Sequence, residues 1–186
     1  MSDARAASLV AALDGLEPVD AAERDDVAAT RALLFTPRPF DAGARDHVTA
    51  SAFCCGPTGV LLHRHRLLGR WLQPGGHVDD GEAPTDAVLR ELVEEAGVAA
   101  AHLDPPRLVH VSVHDGPRGH RHYDCRWLVT ADDATVAPAP WESQEVGWFE
   151  PRAALERCDP DLCVALDKAI TVAHALALPA VASWRT

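Results

Sequence analysis

Nine residues between positions 76 and 98 stand at offsets that suit a turn, a helix and a second turn in succession: Gly76, Glu82, Arg90, Glu91, Leu92, Glu94, Glu95, Gly97 and Val98. Glu91, Glu94 and Glu95 are spaced i, i+3 and i+4, so on a helix advancing about 100° per residue they share an arc of about 100°. The apolar set Leu89, Leu92, Val93 and Ala96 has the same spacing on roughly the opposite side, and packing it on a core would aim the acids outward. Pro84 suits the first helical turn, where its missing N–H costs nothing, and Gly97 suits the residue just past the helix end. Gly75 and Gly76 follow Pro74 in a turn and, lacking a Cβ, let the backbone come close to an ion or a phosphate. Arg90 carries a planar fork of donors that can fix a neighbouring carboxylate, so it reads as an orienting residue. Carboxylates crowded this way repel one another. A hard divalent cation relieves that repulsion, Mg²⁺ foremost and Mn²⁺ as a substitute, because such ions prefer oxygen ligands.

The run fits the pattern G-x5-E-x7-R-E-U-x-E-E-x-G-U at every position, with U aliphatic, and thereby resembles the box of the Nudix hydrolases. The likeness continues upstream through residues 71–77 and more loosely downstream to Trp148 and Phe149. It covers about residues 47–155 and leaves the first 45 outside. It implies an α/β/α sandwich with a mixed sheet. It also implies a Mg²⁺-dependent enzyme that cleaves a diphosphate (pyrophosphate) bond in a nucleoside diphosphate linked to another moiety, by metal-assisted attack of water. The metal ligands it implies are Glu82, Glu91, Glu94, Glu95 and the carbonyl of Gly76. Members of the family draw the general base either from the box or from a later loop. Glu94 is then the first candidate, and Glu142 and Glu145 are the loop candidates. Two other activities share the fold: a non-catalytic sensor of nucleotide metabolites, and an isopentenyl diphosphate isomerase-like enzyme in which Cys54 or Cys55 would have to serve. The complete box favours the hydrolase over both. Val113 stands where the ADP-ribose and diadenosine groups carry Pro or Tyr, and Gln73 replaces the apolar residue usual before Pro-Gly-Gly, so the resemblance names no particular substrate.

Composition narrows the partners. At 186 residues, 47% hydrophobic and 24% charged, the chain has room for one sizeable core: a catalytic domain over residues 46–186 behind an N-terminal helical extension over 1–45. A formal net charge of −11, with no basic stripe, argues against a nucleic-acid partner. No apolar run is long enough to cross a bilayer, so no membrane partner is expected. The five cysteines are odd in number and lack metal-ligand spacing, which points to a reducing cytoplasm. The partner that fits is a small phosphorylated substrate, a nucleotide derivative, and a homodimer is compatible with this reading.

Along the chain, residues 6–16 and 20–34 read as two helices, the second opened by Asp20 with Glu23 three residues on, like a capping box. Residues 48–55 and 60–65 form one expected hairpin and residues 107–114 and 120–130 another; a strand at 145–149 and a helix over 161–178 close the domain. On the second hairpin, opposing His114 to His120, Ser112 to His122 and His110 to Asp124 puts all six on one face by period-2 alternation. Val109, Val111, Val113, Tyr123, Cys125 and Trp127 then take the other. A half-solvated hairpin explains that pattern; as a functional face, His110, His120 and His122 are substrate-binding candidates or transition-metal ligands. His77, directly after the glycine turn, is placed for substrate contact as well. His63 and His65, interleaved with Arg64 and Arg66, read as a solvated or phosphate-facing edge, and Cys54 and Cys55 as core fillers.

Overall fold

The computed structural model describes residues 3–116, 119–132, 135–182 and 184. Helices α1 (Ala4–Asp14) and α2 (Ala21–Leu34) come first. Asp20 accepts the Glu23 amide at 2.8 Å while Glu23 accepts the Val19 amide at 2.6 Å, so side chains satisfy donors that the first turn of α2 leaves free. Strands β1 (Asp46–Gly56) and β2 (Gly59–Arg64) form the first hairpin around Pro57 and Thr58. Two short strands follow, β3 (Trp71–Leu72) and β4 (Gly75–His77), and then α3 (Pro84–Ala96). Strands β5 (Ala101–Asp115), β6 (Arg121–Thr130) and β7 (Val146–Phe149) lead to α4 (Pro151–Leu155) and α5 (Pro160–Ala175).

The sheet runs β3-β2-β1-β6-β5, with β4 also pairing β1 and β7 also pairing β2. Among the described residues only β1 and β6 pair in parallel, so the sheet is mixed. Alternation along β1 sends Ala50, Ala52 and Cys54 into a core shared with Val88 and Leu92 of α3. Phe53 and Cys55 turn the other way and meet Leu162, Ala165 and Leu166 of α5. Helices therefore cover both faces, and the layering is the expected α/β/α sandwich. Among the described residues no helix is long and apolar enough to cross a membrane.

The N-terminal helices belong to the first of these cores, through Leu9, Leu13, Val27 and Leu34. Helix α2 also lies against β5, the last strand in the order. There Glu23 accepts the Val111 amide at 3.3 Å and Asp26 accepts the Val113 amide at 3.0 Å. These carboxylates occupy hydrogen bonds that a bare sheet edge would offer to another chain.

Helix α3 starts with Pro84 and ends at Gly97, whose φ of +67° is the left-handed conformation glycine adopts without strain. The Gly97 amide bonds the Val93 carbonyl, the closure of an αL cap, and the Val98 amide bonds the Leu92 carbonyl. The buried stripe differs from the one expected. Ala87, Val88, Leu92 and Ala96 are buried with Glu95, while Val93 is 54% exposed. The helix is rotated so that its acidic face leans on β4 instead of facing solvent.

The second hairpin forms with its register two residues away from expectation: His114 opposes His122, Ser112 opposes Asp124 and His110 opposes Arg126. A two-residue slip preserves facing, so the parity argument survives from Val111 to Asp115. It fails at Val109. A register shift between Leu108 and His110 inserts an extra residue and sends Val109 to the α5 side with Phe53 and Leu128, away from Val111 and Cys125. Pro117 and Arg118 of the connecting loop lie outside the described residues.

Candidate active site

The glycine turn sets the geometry. A Cβ at Gly75 would overlap the Ser51 backbone, and one at Gly76 would come within 2.8 Å of the Glu91 Cδ, so neither position has room for a side chain. Glu91 and Glu95 project from α3 toward this turn. Glu95 Oε2 accepts the Gly75 amide at 2.8 Å, and Glu95 Oε1 lies 3.7 Å from His63 Nδ1. Burial pushes the Glu95 carboxyl up to about 8, and the charges of Glu91, Glu142 and Glu94 add to the effect. Burial raises Glu91 too, against the pull of Arg90.

Arg90 organises the cluster, as expected of an orienting residue. Its Nε donates to Glu82 Oε1 at 2.9 Å, Nη1 to Glu91 Oε1 at 2.9 Å, and Nη2 both to Glu82 Oε2 at 3.0 Å and to the His77 carbonyl at 2.8 Å. Burial tends to raise the Glu82 carboxyl, but Arg90 and the Asp79 amide outweigh it and hold it low. One guanidinium thus ties the loop, the turn and the helix together. Glu94 is the open member: its side chain is 46% exposed and reaches Arg90 at 3.5 Å.

This donor set fits a hard divalent cation. Glu91, Glu94 and Glu95 bring three carboxyl groups to the Gly75–Gly76 turn, where Glu95 accepts the Gly75 amide and Arg90 pairs Glu91, so oxygen donors outnumber the cation among them.

Several expected site residues stand elsewhere. Glu145 is exposed and paired to Arg64 at 3.1 Å, whereas Glu142 is the loop acid whose charge acts on Glu91 and Glu95. His110 is buried beside Glu23, at 4.0 Å, because it opposes Arg126, four positions along β6 from His122, where α2 and α5 cover the strand, and so does not join the other histidines. His120 and His122 do come together with His77, around His47. His63 is not a solvated edge residue but is 3% exposed, and burial lowers it to about 4, leaving a neutral imidazole behind Glu95. Gln73 donates to Ser51 Oγ at 3.1 Å and Asp124 Oδ2 at 3.2 Å, joining a buried network in which Arg126 pairs Asp124 at 2.9 Å. An apolar residue in that place would take one donor from Asp124. Cys54 and Cys55 are core fillers with no access to the turn; burial pushes the Cys55 thiol up to about 12, which removes the nucleophile or acid an isomerase would need.

His47 escaped sequence reasoning and His63 was read there as an edge residue, for a common reason. Each is placed by strand pairing between distant segments, β2 with β3 and β7 in one case and β1 with β6 in the other.

The NUDIX domain family model matches residues 45–165. The chain is 33% identical over 78 residues to an 8-oxo-dGTP diphosphatase of Proteus vulgaris, covering 40% of this chain and 67% of that protein. It is 31% identical over 113 residues to an RNA pyrophosphohydrolase of Erythrobacter litoralis, covering 50% of this chain and 69% of the other. Other curated relatives are matched over less than two thirds of their length, as in 36% and 42% of two from Mycobacterium tuberculosis. Among solved structures, a NUDIX-family hydrolase from Clostridium perfringens superposes with a TM-score of 0.57 at 26% identity, covering 67% of this chain and 97% of that one.

Proposed function

The chain belongs to the Nudix family, and we propose that it hydrolyses a diphosphate bond in a small nucleotide derivative with the help of Mg²⁺. The observation that carries this reading is the carboxylate cluster at the Gly75–Gly76 turn, in which Glu91, Glu94 and Glu95 of one helix gather around a single guanidinium and a backbone amide. Glu91, Glu94 and Glu95, with the Gly76 carbonyl, would hold the ion, and Glu82 supports them through Arg90. When bound, the ion supplies positive charge for the phosphoryl oxygens and makes water more acidic.

The protein's own part is positioning. Arg90 locks the rotamers of Glu82 and Glu91, and the Gly75 amide fixes Glu95, so the site is formed before a substrate arrives. Glu94 is the general base in this reading, since it alone of the three helix carboxylates is open to solvent; Glu142 is the loop acid that can replace it. Relatives whose names specify 8-oxo-dGTP and RNA pyrophosphate chemistry support a phosphorylated nucleotide substrate. Free cysteines throughout fit a reducing compartment, and we assign the protein to the cytoplasm.

The test is a panel of nucleoside triphosphates, nucleotide sugars, dinucleotides and coenzyme A with purified protein and Mg²⁺, scored by release of phosphate or diphosphate-bond products. Turnover of one substrate class is expected. Failure of every class with both Mg²⁺ and Mn²⁺ would remove the hydrolase reading.

A further inference from the structure

Strand β4 presents two unlike faces within consecutive residues. Gly76 turns toward Glu91 and α3, so alternation directs His77 to the opposite face of the sheet. On that face three strands bring histidines side by side. In the parallel pair of β1 with β6, His47 opposes His122; in the antiparallel pair of β1 with β4, Thr49 opposes His77, and Thr49 shares the parity of His47. The ring centroids of His47 lie 5.0 Å from those of both His77 and His122, which are 5.3 Å from each other. One nitrogen from each ring falls within 4.8 Å of the other two.

His47 shows what this arrangement lacks. It is fully buried, and its Nδ1 lies 2.8 Å from the Ala44 carbonyl, an acceptor, so Nδ1 carries the hydrogen and donates. Nε2 is then a bare lone pair, buried and, among the described residues, without a hydrogen-bond partner. A buried acceptor left unmet is costly, so the position calls for a partner. A histidine with one nitrogen held by a backbone carbonyl while the other offers a lone pair is the arrangement found behind metal-ligating imidazoles. Burial also favours neutral rings at His47 and His122, which suits ligation and disfavours the charged imidazoles that a phosphate would need.

We propose that His47, His77 and His122 form a second metal site, distinct from the carboxylate cluster, that binds an imidazole-preferring divalent transition ion of the Zn²⁺ kind. Nitrogen donors suit Zn²⁺, Ni²⁺, Co²⁺ or Cu²⁺ and give little hold on Mg²⁺. Three protein ligands would leave a fourth position for water or a further ligand, and His120, with its ring 5.4 Å from His47, neighbours the triad. The two sites would thus sort ions by donor type across a single strand.

The experiment is equilibrium dialysis of tag-free protein against Zn²⁺ in excess Mg²⁺, with Co²⁺ as a spectroscopic probe of coordination. One tightly held Zn²⁺ per chain is expected, and a visible spectrum typical of nitrogen-ligated, four-coordinate Co²⁺. Because His47 is buried and its replacement endangers folding, the variants are His77→Gln and His122→Asn, with Glu91→Gln as the contrast. The histidine variants should weaken Zn²⁺ binding by at least about tenfold to a hundredfold while Glu91→Gln leaves it in place. Absence of stoichiometric Zn²⁺, binding that survives both histidine variants, or binding lost through Glu91→Gln instead would overturn the proposal.

Discussion

Two buried glutamates, Glu23 and Glu95, differ in what faces them. Glu23, 2% exposed, receives Lys168 Nζ on both oxygens at 2.8 Å and backbone amides from Val19 and Val111. Glu95, 9% exposed, has one amide, a neutral imidazole at 3.7 Å and three further carboxylates acting on it. A buried carboxylate with its counter-charge in place holds helices to a sheet; one without it is held ready for a cation. Burial alone would have ranked Glu23 first as the functional residue. The missing positive charge separates the two.

The sharpest way to break this contrast is Glu95→Gln. The amide oxygen can still accept from Gly75 and carries no charge to desolvate, so stability should be kept or rise. Turnover should fall by about a hundredfold or more, the scale on which loss of a single charge-organising group acts. Mg²⁺ should raise the melting temperature of the parent and do so much less for this variant. A variant that unfolds readily while its folded fraction keeps full turnover would make Glu95 another Glu23.

The reciprocal change is Lys168→Met, which strands Glu23. Stability in urea should drop by about 3 kcal/mol, because breaking a buried pair leaves an uncompensated charge. Turnover per folded molecule should not change. Adding Glu23→Gln to Lys168→Met should restore part of the loss; if the single variant unfolds no more easily than the parent, the pair has been over-valued here.

A smaller effect belongs to His110, which shares the Glu23 pocket. Burial, with Arg126 and Lys168 nearby, lowers this imidazole to about 3, while Asp124 and Asp20 oppose the shift. In the unfolded chain it titrates near the ordinary value of about 6.5. Above that pH both states are neutral and His110 adds no slope. Below it the unfolded state alone takes up the proton, so stability falls with pH until the folded value is reached. Between pH 7 and pH 5 the share of His110 is on the order of 1–2 kcal/mol. Urea titrations at both pH values should show a shallower loss for His110→Gln; an identical slope would mean that the ring is already charged or exposed in the native state.

What could be read from the sequence follows the reach of the interactions. The turn, Pro84, Arg90, the glutamate spacing and Gly97 act within a single loop–helix–loop, and the structure places them together. The capping of α2 by Asp20 is equally local. The rotation of α3 that buries Glu95 and exposes Val93 depends on what β2 and β4 present to it, and no helical period contains that information. Hairpin register depended on a loop whose length alone permits more than one pairing, and Val109 was turned over by one inserted residue. His47 meets His122 through a parallel pairing 75 positions apart, for which no short-range signal exists.

The seating of α2 on β5 has a consequence for the order in which the molecule is made. The amides that Glu23 and Asp26 accept belong to Val111 and Val113, and the ammonium that neutralises Glu23 belongs to Lys168, 145 positions later. During synthesis the first helices therefore emerge with a carboxylate destined for the interior long before its counter-ion exists. The pairing of Glu23 is completed only once Lys168 has been made, and α5 then anchors α2.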